Sequence, residues 1–328
     1  MPQFHRGIHL FAAFLAGAVV LLITAGGLVK SLEAGLSVPD WPLSYGSLNP
    51  PRWWQIETVR AEHGHRLIAG TVALLTIALA VWVGRREVRR WVRRLAYLAV
   101  ATVLAQALLG GITVLFFLPT AISVSHAGLA QIFLCLIVTI AVVTSRWWVE
   151  GSAPVDLSDT VRRVAHLATA TTGLIYLQIL LGAVMRHTGA GLAIPDFPLA
   201  FGGLIPPRFD FAIGIHFAHR LGALLVATMI FWTFGRVLRL ASQERRLVRS
   251  SGILTLLVLV QGTLGGFVVL TSKAVLPNTL HVGTGGALLA ASLILTLFSW
   301  HLDWLARGVR EPQSAEVPAH PQLQRATS

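Results

Sequence analysis

Eight long apolar stretches constrain this chain more than any other feature. They run at roughly 8–30, 62–84, 95–117, 122–144, 164–186, 212–235, 251–271 and 277–299. A helix rises 1.5 Å per residue, so about 20 apolar residues cross a bilayer core of about 30 Å. Inside lipid the backbone must satisfy its own hydrogen bonds, and a helix does so within one segment. The expected fold is an all-α integral membrane protein with eight transmembrane helices. Only 12% of the residues are charged, against about 25% in soluble domains.

The net charge of +12 would suit nucleic acid if it formed one surface. It does not. Arg85, Arg86, Arg89, Arg90, Arg93 and Arg94 follow span two, and Arg236, Arg239, Arg245, Arg246 and Arg249 follow span six. Arg146, Arg162 and Arg163 lie between spans four and five; Arg6, Arg307, Arg310 and Arg325 flank the ends. These alternate segments hold 18 of the 26 Lys and Arg residues. The positive-inside rule places them, with both termini, in the cytoplasm. The charge is a topology signal, and nucleic acid is excluded as a partner. The N-terminus MPQFHRGIHLF has no transit-peptide character, so span one is expected to be a retained helix. Cys135 stands alone inside span four, so no internal disulfide can form.

The two halves repeat at an offset of about 155 residues. GLSVPDWPLSYG at 35–46 matches GLAIPDFPLAFG at 191–202, and each is followed by Pro-Pro-Arg. EHGHRL at 62–67 matches HFAHRL at 216–221; QALLGG at 106–111 matches QGTLGG at 261–266; SHAG at 125–128 matches LHVG at 280–283. Each half contains four spans, so both enter the membrane from the same side and the repeat is parallel. Two four-helix bundles are expected, over residues 1–150 and 151–306, with a polar, disordered tail at 307–328. The loops at 31–61 and 187–211 are rich in Pro, Gly and aromatics and are expected to lie over the bundles at the outer interface.

Four histidines repeat as pairs, His65 with His219 and His126 with His281, all near the outer ends of their spans. Each bundle therefore offers two imidazoles at similar depth on different helices. Ionisable groups inside a membrane are costly and functional by default. Axial histidine is a common haem ligand, and a haem between spans two and four of each half is the simplest use. Zinc wants three or four converging ligands; only two repeat. The alternative for such histidines is hydrogen bonding between helices.

The repeat breaks at one telling place. Glu62 stands three residues before His65, where the second half has His216. Residues three apart share a helix face, and a carboxylate there suits proton transfer; the alternative is an ion pair with Lys30, Arg60 or Arg66. Arg66 and Arg220 follow the histidines and suit haem propionates, or else snorkel to the interface. Gly110, Gly111, Gly265 and Gly266 suit close helix approach. Gln106 and Gln261 suit interhelical hydrogen bonds. Asp40 and Asp196 read as loop determinants. His63 is given no ligand role, and His9 and His166 read as caps or interfacial groups. His5, His187, His301 and His320 are expected to be exposed.

The run E-x-x-H-R at 62–66, H-x-x-H-R at 216–220, the later His126 and His281, and the P-D-W-P loop resemble the haem A synthase family from span one to span eight. The resemblance implies oxidation of the C8 methyl of haem O to a formyl group, giving haem A for cytochrome oxidase. It implies a substrate haem on His65 and His126 with Glu62 as the catalytic carboxylate, and a haem b on His219 and His281. It further implies a place in the bacterial inner membrane, contact with a haem O synthase and with an electron donor, and allows a homo-oligomer. Some members carry loop cysteines where this chain has Val38 and Ser44, and Ile194 and Ala200; no mechanism here can use a loop disulfide. The competing readings are a dihaem electron-transfer cytochrome and a proton-relaying transporter. The Glu62/His216 break argues against the first, and the parallel repeat against the second.

Overall fold

Apolar residues on every face and charged groups only near the ends produce long helices here, and charge or proline sets where they stop. In the computed structural model, which describes residues 3–151 and 158–308, eight helices are long and apolar enough to cross a membrane. They are α1 (Arg6–Ser31), α2 (Glu57–Arg86), α3 (Arg90–Leu115), α4 (Thr120–Val143), α6 (Ser158–His187), α7 (Phe211–Leu240), α8 (Arg245–Leu270) and α9 (Val275–Gly308). A ninth, α5 (Arg146–Glu150), is a single turn that the sequence did not announce. Proline marks two starts, Pro119 as the N-cap of α4 and Pro277 in the first turn of α9, where its missing N–H costs nothing. Asp210 caps α7 by accepting from the Ile213 N–H at 2.8 Å.

The helices neighbour one another in two rings. In the first, α1 packs on α2, α2 on α3, α3 on α4, and α4 back on α1; in the second, the same order runs through α6, α7, α8 and α9. The rings meet through α1, α4, α6 and α9. Each has its own apolar core, built around Leu15, Leu79, Phe133 and Ile137 in one and Ile175, Ile230, Leu254 and Leu295 in the other; Phe298 packs against both. Leu21, Leu74, Leu104, Leu224 and Leu256 point outward and are exposed. Such a surface is stable only against hydrocarbon, so the chain is a multi-pass membrane protein.

Several expectations need correction. Helix α9 runs through Arg307 and Gly308, where a polar tail was expected, because Arg307 pairs with Asp303 one turn earlier; residues 309–328, His320 among them, lie outside the described residues. His301 is buried, not exposed. The turn α5 folds Trp147 and Trp148 onto α9, and the His301 ring stacks on Trp148 at 4.0 Å. His187 is half-buried because α6 continues to it at the seam between the rings, and His5 is half-buried in a crevice with Glu87, Arg89 and Thr144.

Candidate paired-histidine site

The four repeated histidines come from α2, α4, α7 and α9, one from every second helix of each ring. His65 and His126 lie within electrostatic reach of each other, as do His219 and His281. Each imidazole rests on a glycine of the preceding helix. A Cβ on Gly26 would stand 3.1 Å from His65 Cε1, on Gly110 3.2 Å from His126, on Gly182 2.8 Å from His219 and on Gly265 3.1 Å from His281. Any larger residue would push the ring out of place. Gln106 and Gln261 donate to the backbone carbonyls of His126 and His281 at 2.8 and 3.0 Å, holding that turn of helix.

The donor chemistry suits a group held by two axial ligands. Nδ1 of His65, His126 and His281 is buried without a hydrogen-bond partner; of these three rings, His281 also meets the Gln261 amide through Nε2, at a long 3.4 Å. Nδ1 of His219 meets the Gln178 amide at 3.0 Å. Among the described residues no three His, Cys, Asp or Glu side chains converge as a tetrahedral metal would require.

Over each pair lies a loop with the same internal wiring. Asp40 accepts from the N–H groups of Tyr45 and Gly46, both at 2.7 Å; Asp196 accepts from Phe201 and Gly202 at 2.7 and 2.8 Å. Those residues have positive φ, 51° and 72° in one loop and 56° and 79° in the other. Two successive left-handed residues point their N–H groups the same way, and the carboxylate satisfies both. These backbone donors hold both aspartates below the usual carboxylate range. Both are the loop determinants that the sequence suggested. The second glycine of each Gly-Gly pair seats the loop: a Cβ on Gly111 would lie 2.5 Å from the Trp41 ring, and one on Gly266 2.8 Å from the Phe197 ring.

Arg66 and Arg220 grip these loops rather than snorkel. Arg66 Nη1 donates to the Asp40 and Leu43 carbonyls at 2.6 and 2.8 Å, and Nη2 to the Val38 carbonyl at 2.9 Å and Glu62 Oε1 at 2.7 Å. Arg220 donates to the carbonyls of Leu199, Asp196 and Ile194 at 2.7, 2.7 and 3.1 Å. For Arg66, Nε–H alone is left for any bound carboxylate.

Glu62 and His216 occupy the same place with different capacity. Glu62 is 3% exposed; besides Arg66 it accepts from the Val38 N–H at 2.8 Å. His216 meets the Ile194 N–H and Arg220 Nε, both at 3.2 Å. A neutral imidazole has one acceptor nitrogen, so it can accept only one of these; a carboxylate accepts both and has lone pairs to spare. The Arg66 pairing is thus real, but it does not exhaust Glu62. The same half carries a second polar insertion: His63, buried, meets Ser44 Oγ at 2.8 Å and packs on Trp53, where the other half has Phe217 on Phe209.

The structure brings together every histidine pair, glutamine, glycine and loop aspartate that the repeat singled out. Sequence reasoning missed Gly26, Gly182 and Gln178. The first two are equivalent on the register that aligns Asp40 with Asp196, which could have found them. Gln178 has Leu22 as its counterpart, so the repeat hid it.

The sequence pattern of the family described as cytochrome oxidase assembly protein matches residues 56–294. The Heme A synthase of Shouchella clausii is 33% identical over 310 residues, covering 92% of this chain and 98% of the relative. That of Halalkalibacterium halodurans is 31% identical over 295 residues, 89% and 95% of the two chains. A third, from Symbiobacterium thermophilum, is 33% identical over 237 residues, 69% and 76%. The matched length contains both histidine pairs, Glu62 and the whole second loop, and on that ground the chain belongs to the haem A synthase family of cytochrome oxidase assembly proteins.

Proposed function

We propose that this chain is a haem A synthase, an oxidoreductase that converts the C8 methyl of haem O to the formyl group of haem A. One observation carries the division of labour: two near-identical cradles of histidine, glycine, glutamine and arginine differ at Glu62 and His216. The half at 1–150 holds the substrate, with His65 and His126 as iron ligands. The half at 151–306 holds a haem b on His219 and His281, and that group supplies electron relay when bound. For His219 to present Nε2 to iron, Nδ1 carries the proton and the Gln178 amide turns to accept it.

Methyl to formyl is a four-electron oxidation that removes two hydrogens from carbon and adds one oxygen from a co-reactant, and the broken C–H bonds give up protons that a base in the site can take and pass on. Glu62 has the spare lone pairs to take one. The loop at 31–61, clamped by Asp40 and Arg66 and seated on Gly111, keeps bulk water from that proton. Arg66 and Arg220 shape the loops, and each can spare little more than one N–H for a propionate. The substrate is delivered by a haem O synthase and the electrons by a separate donor. The enzyme sits in the bacterial cytoplasmic membrane with both termini inside. The test is extraction of the haems from purified protein. Haem O, haem A or a hydroxylated intermediate beside haem b supports this reading; haem b alone makes the protein a cytochrome.

A further inference from the structure

At the outer end of the seam between the rings stands a cation without a carboxylate. Arg186, in the last turn of α6, is half-buried. Its Nη2 reaches across to α1, donating to the Gly27 carbonyl at 2.9 Å and Ser31 Oγ at 3.1 Å. Ser31 also accepts from Thr279 of α9 at 3.0 Å, so three helices meet at this guanidinium. Nε and Nη1 have no hydrogen-bond partner among the described residues. The ion pairs among those residues engage Glu62, Glu87, Glu150 and Asp303 with other arginines. Lys30, at the equivalent place on α1, has no acidic partner either.

A half-buried guanidinium at the outer end of a membrane helix, with three donors that no group among the described residues uses, is ready to take an anion. Its position says which anion. Arg186 lies one helical turn, about 6 Å, outward of Gly182, the glycine that abuts the His219 ring. It also lies within electrostatic reach of His281. A haem held by those two histidines would find at the polar end of the bundle, beside Arg186, the favourable place for its carboxylates. We propose that Arg186 binds a propionate carboxylate of the haem in the second half. It does so from the seam, so the haem edge is held where the two halves touch. This rests on the haem reading above and names a residue which that reading did not use.

The experiment uses the purified full chain with its bound haem and reads two quantities, the midpoint potential of the b-type haem and its rate of loss to an acceptor apoprotein. Arg186→Gln removes the cation. The potential should then fall, because a nearby positive charge favours the reduced iron. Haem loss should quicken by about 10- to 100-fold, the worth of a hydrogen bond to a charged group. Arg186→Lys should restore most of the potential. Ser31→Ala removes one of the two bonds from Arg186 to α1, and the Thr279 bond with it, but keeps the cation, and should leave both quantities near wild type. Unchanged potential and retention in Arg186→Gln, or an equal loss in Ser31→Ala, would make Arg186 a helix clamp and overturn the proposal. A wild-type chain with no b-type spectrum would instead overturn the haem reading.

Discussion

Replacing Glu62 by histidine copies into the first half what the second half already contains. The usual isostere, Glu62→Gln, is compromised by geometry. Both carboxylate oxygens of Glu62 accept, one from Arg66 at 2.7 Å and one from the Val38 N–H at 2.8 Å. The glutamine amide would turn an N–H toward one of those donors, sacrificing a charge-assisted bond of about 1.5–3 kcal/mol. Loss of activity could then be loss of fold. Histidine, like glutamine, accepts from only one of the two donors, but the fold already accommodates it there: His216 faces the Ile194 N–H and Arg220 in the equivalent place at the same burial. Glu62→His should therefore fold and load haem on His65 and His126. If Glu62 takes a proton during oxidation, turnover should drop roughly 100-fold or more, and a partly oxidised haem should build up. The assay is haem content and haem type, by extraction and chromatography, from one preparation. Normal haem A yield from well-folded Glu62→His protein would refute the catalytic role while leaving the histidine sites intact.

His219→Ala and His281→Ala should each abolish the low-spin b-type spectrum; full haem content in both would show the ligand assignment to be wrong. Gly182→Ala would place a methyl 2.8 Å from His219 Cε1 and cost about 1–3 kcal/mol through overpacking, so the spectrum should weaken although no ligand is lost. The lowered values of Asp40 and Asp196 mean that their clamps contribute stability above the ordinary carboxylate range and lose it as pH falls through the lowered value. Proteolysis of the two loops should begin only below about pH 4; release near pH 6 would contradict the clamp. For topology, cysteines replacing the exposed Leu48 and Leu204 in a Cys135→Ser background should react with an impermeant reagent in intact cells. Protection of both until lysis would invert the orientation.

Helix number and order were legible because lipid enforces one period and one length, and the eight stretches all became helices. The histidines, Gln106, Gln261 and the loop aspartates were legible because duplication wrote each twice. Apart from Gly26 and Gly182, which are repeated but lie outside the matched motifs, what escaped had no such redundancy. His301 looked like a polar residue near a helix end, and only the turn α5, five residues long, folds the tryptophans over it. Gln178 has no counterpart in the other half. The grip of Arg66 on three loop carbonyls could not be seen either, since backbone acceptors leave no mark in a sequence.

Gly110 and Gly111 are consecutive, yet one carries the His126 ring and the other the Trp41 ring, and Gly265 and Gly266 divide the same tasks. Each Gly-Gly step is a single rigid fulcrum with a ligand on one side and a cover on the other. A shift of α3 large enough to free Trp41 must also move the surface under His126. The coupling runs one way: the loop can lift Trp41 off Gly111 without disturbing His126, whereas any displacement of α3 moves ligand and cover together.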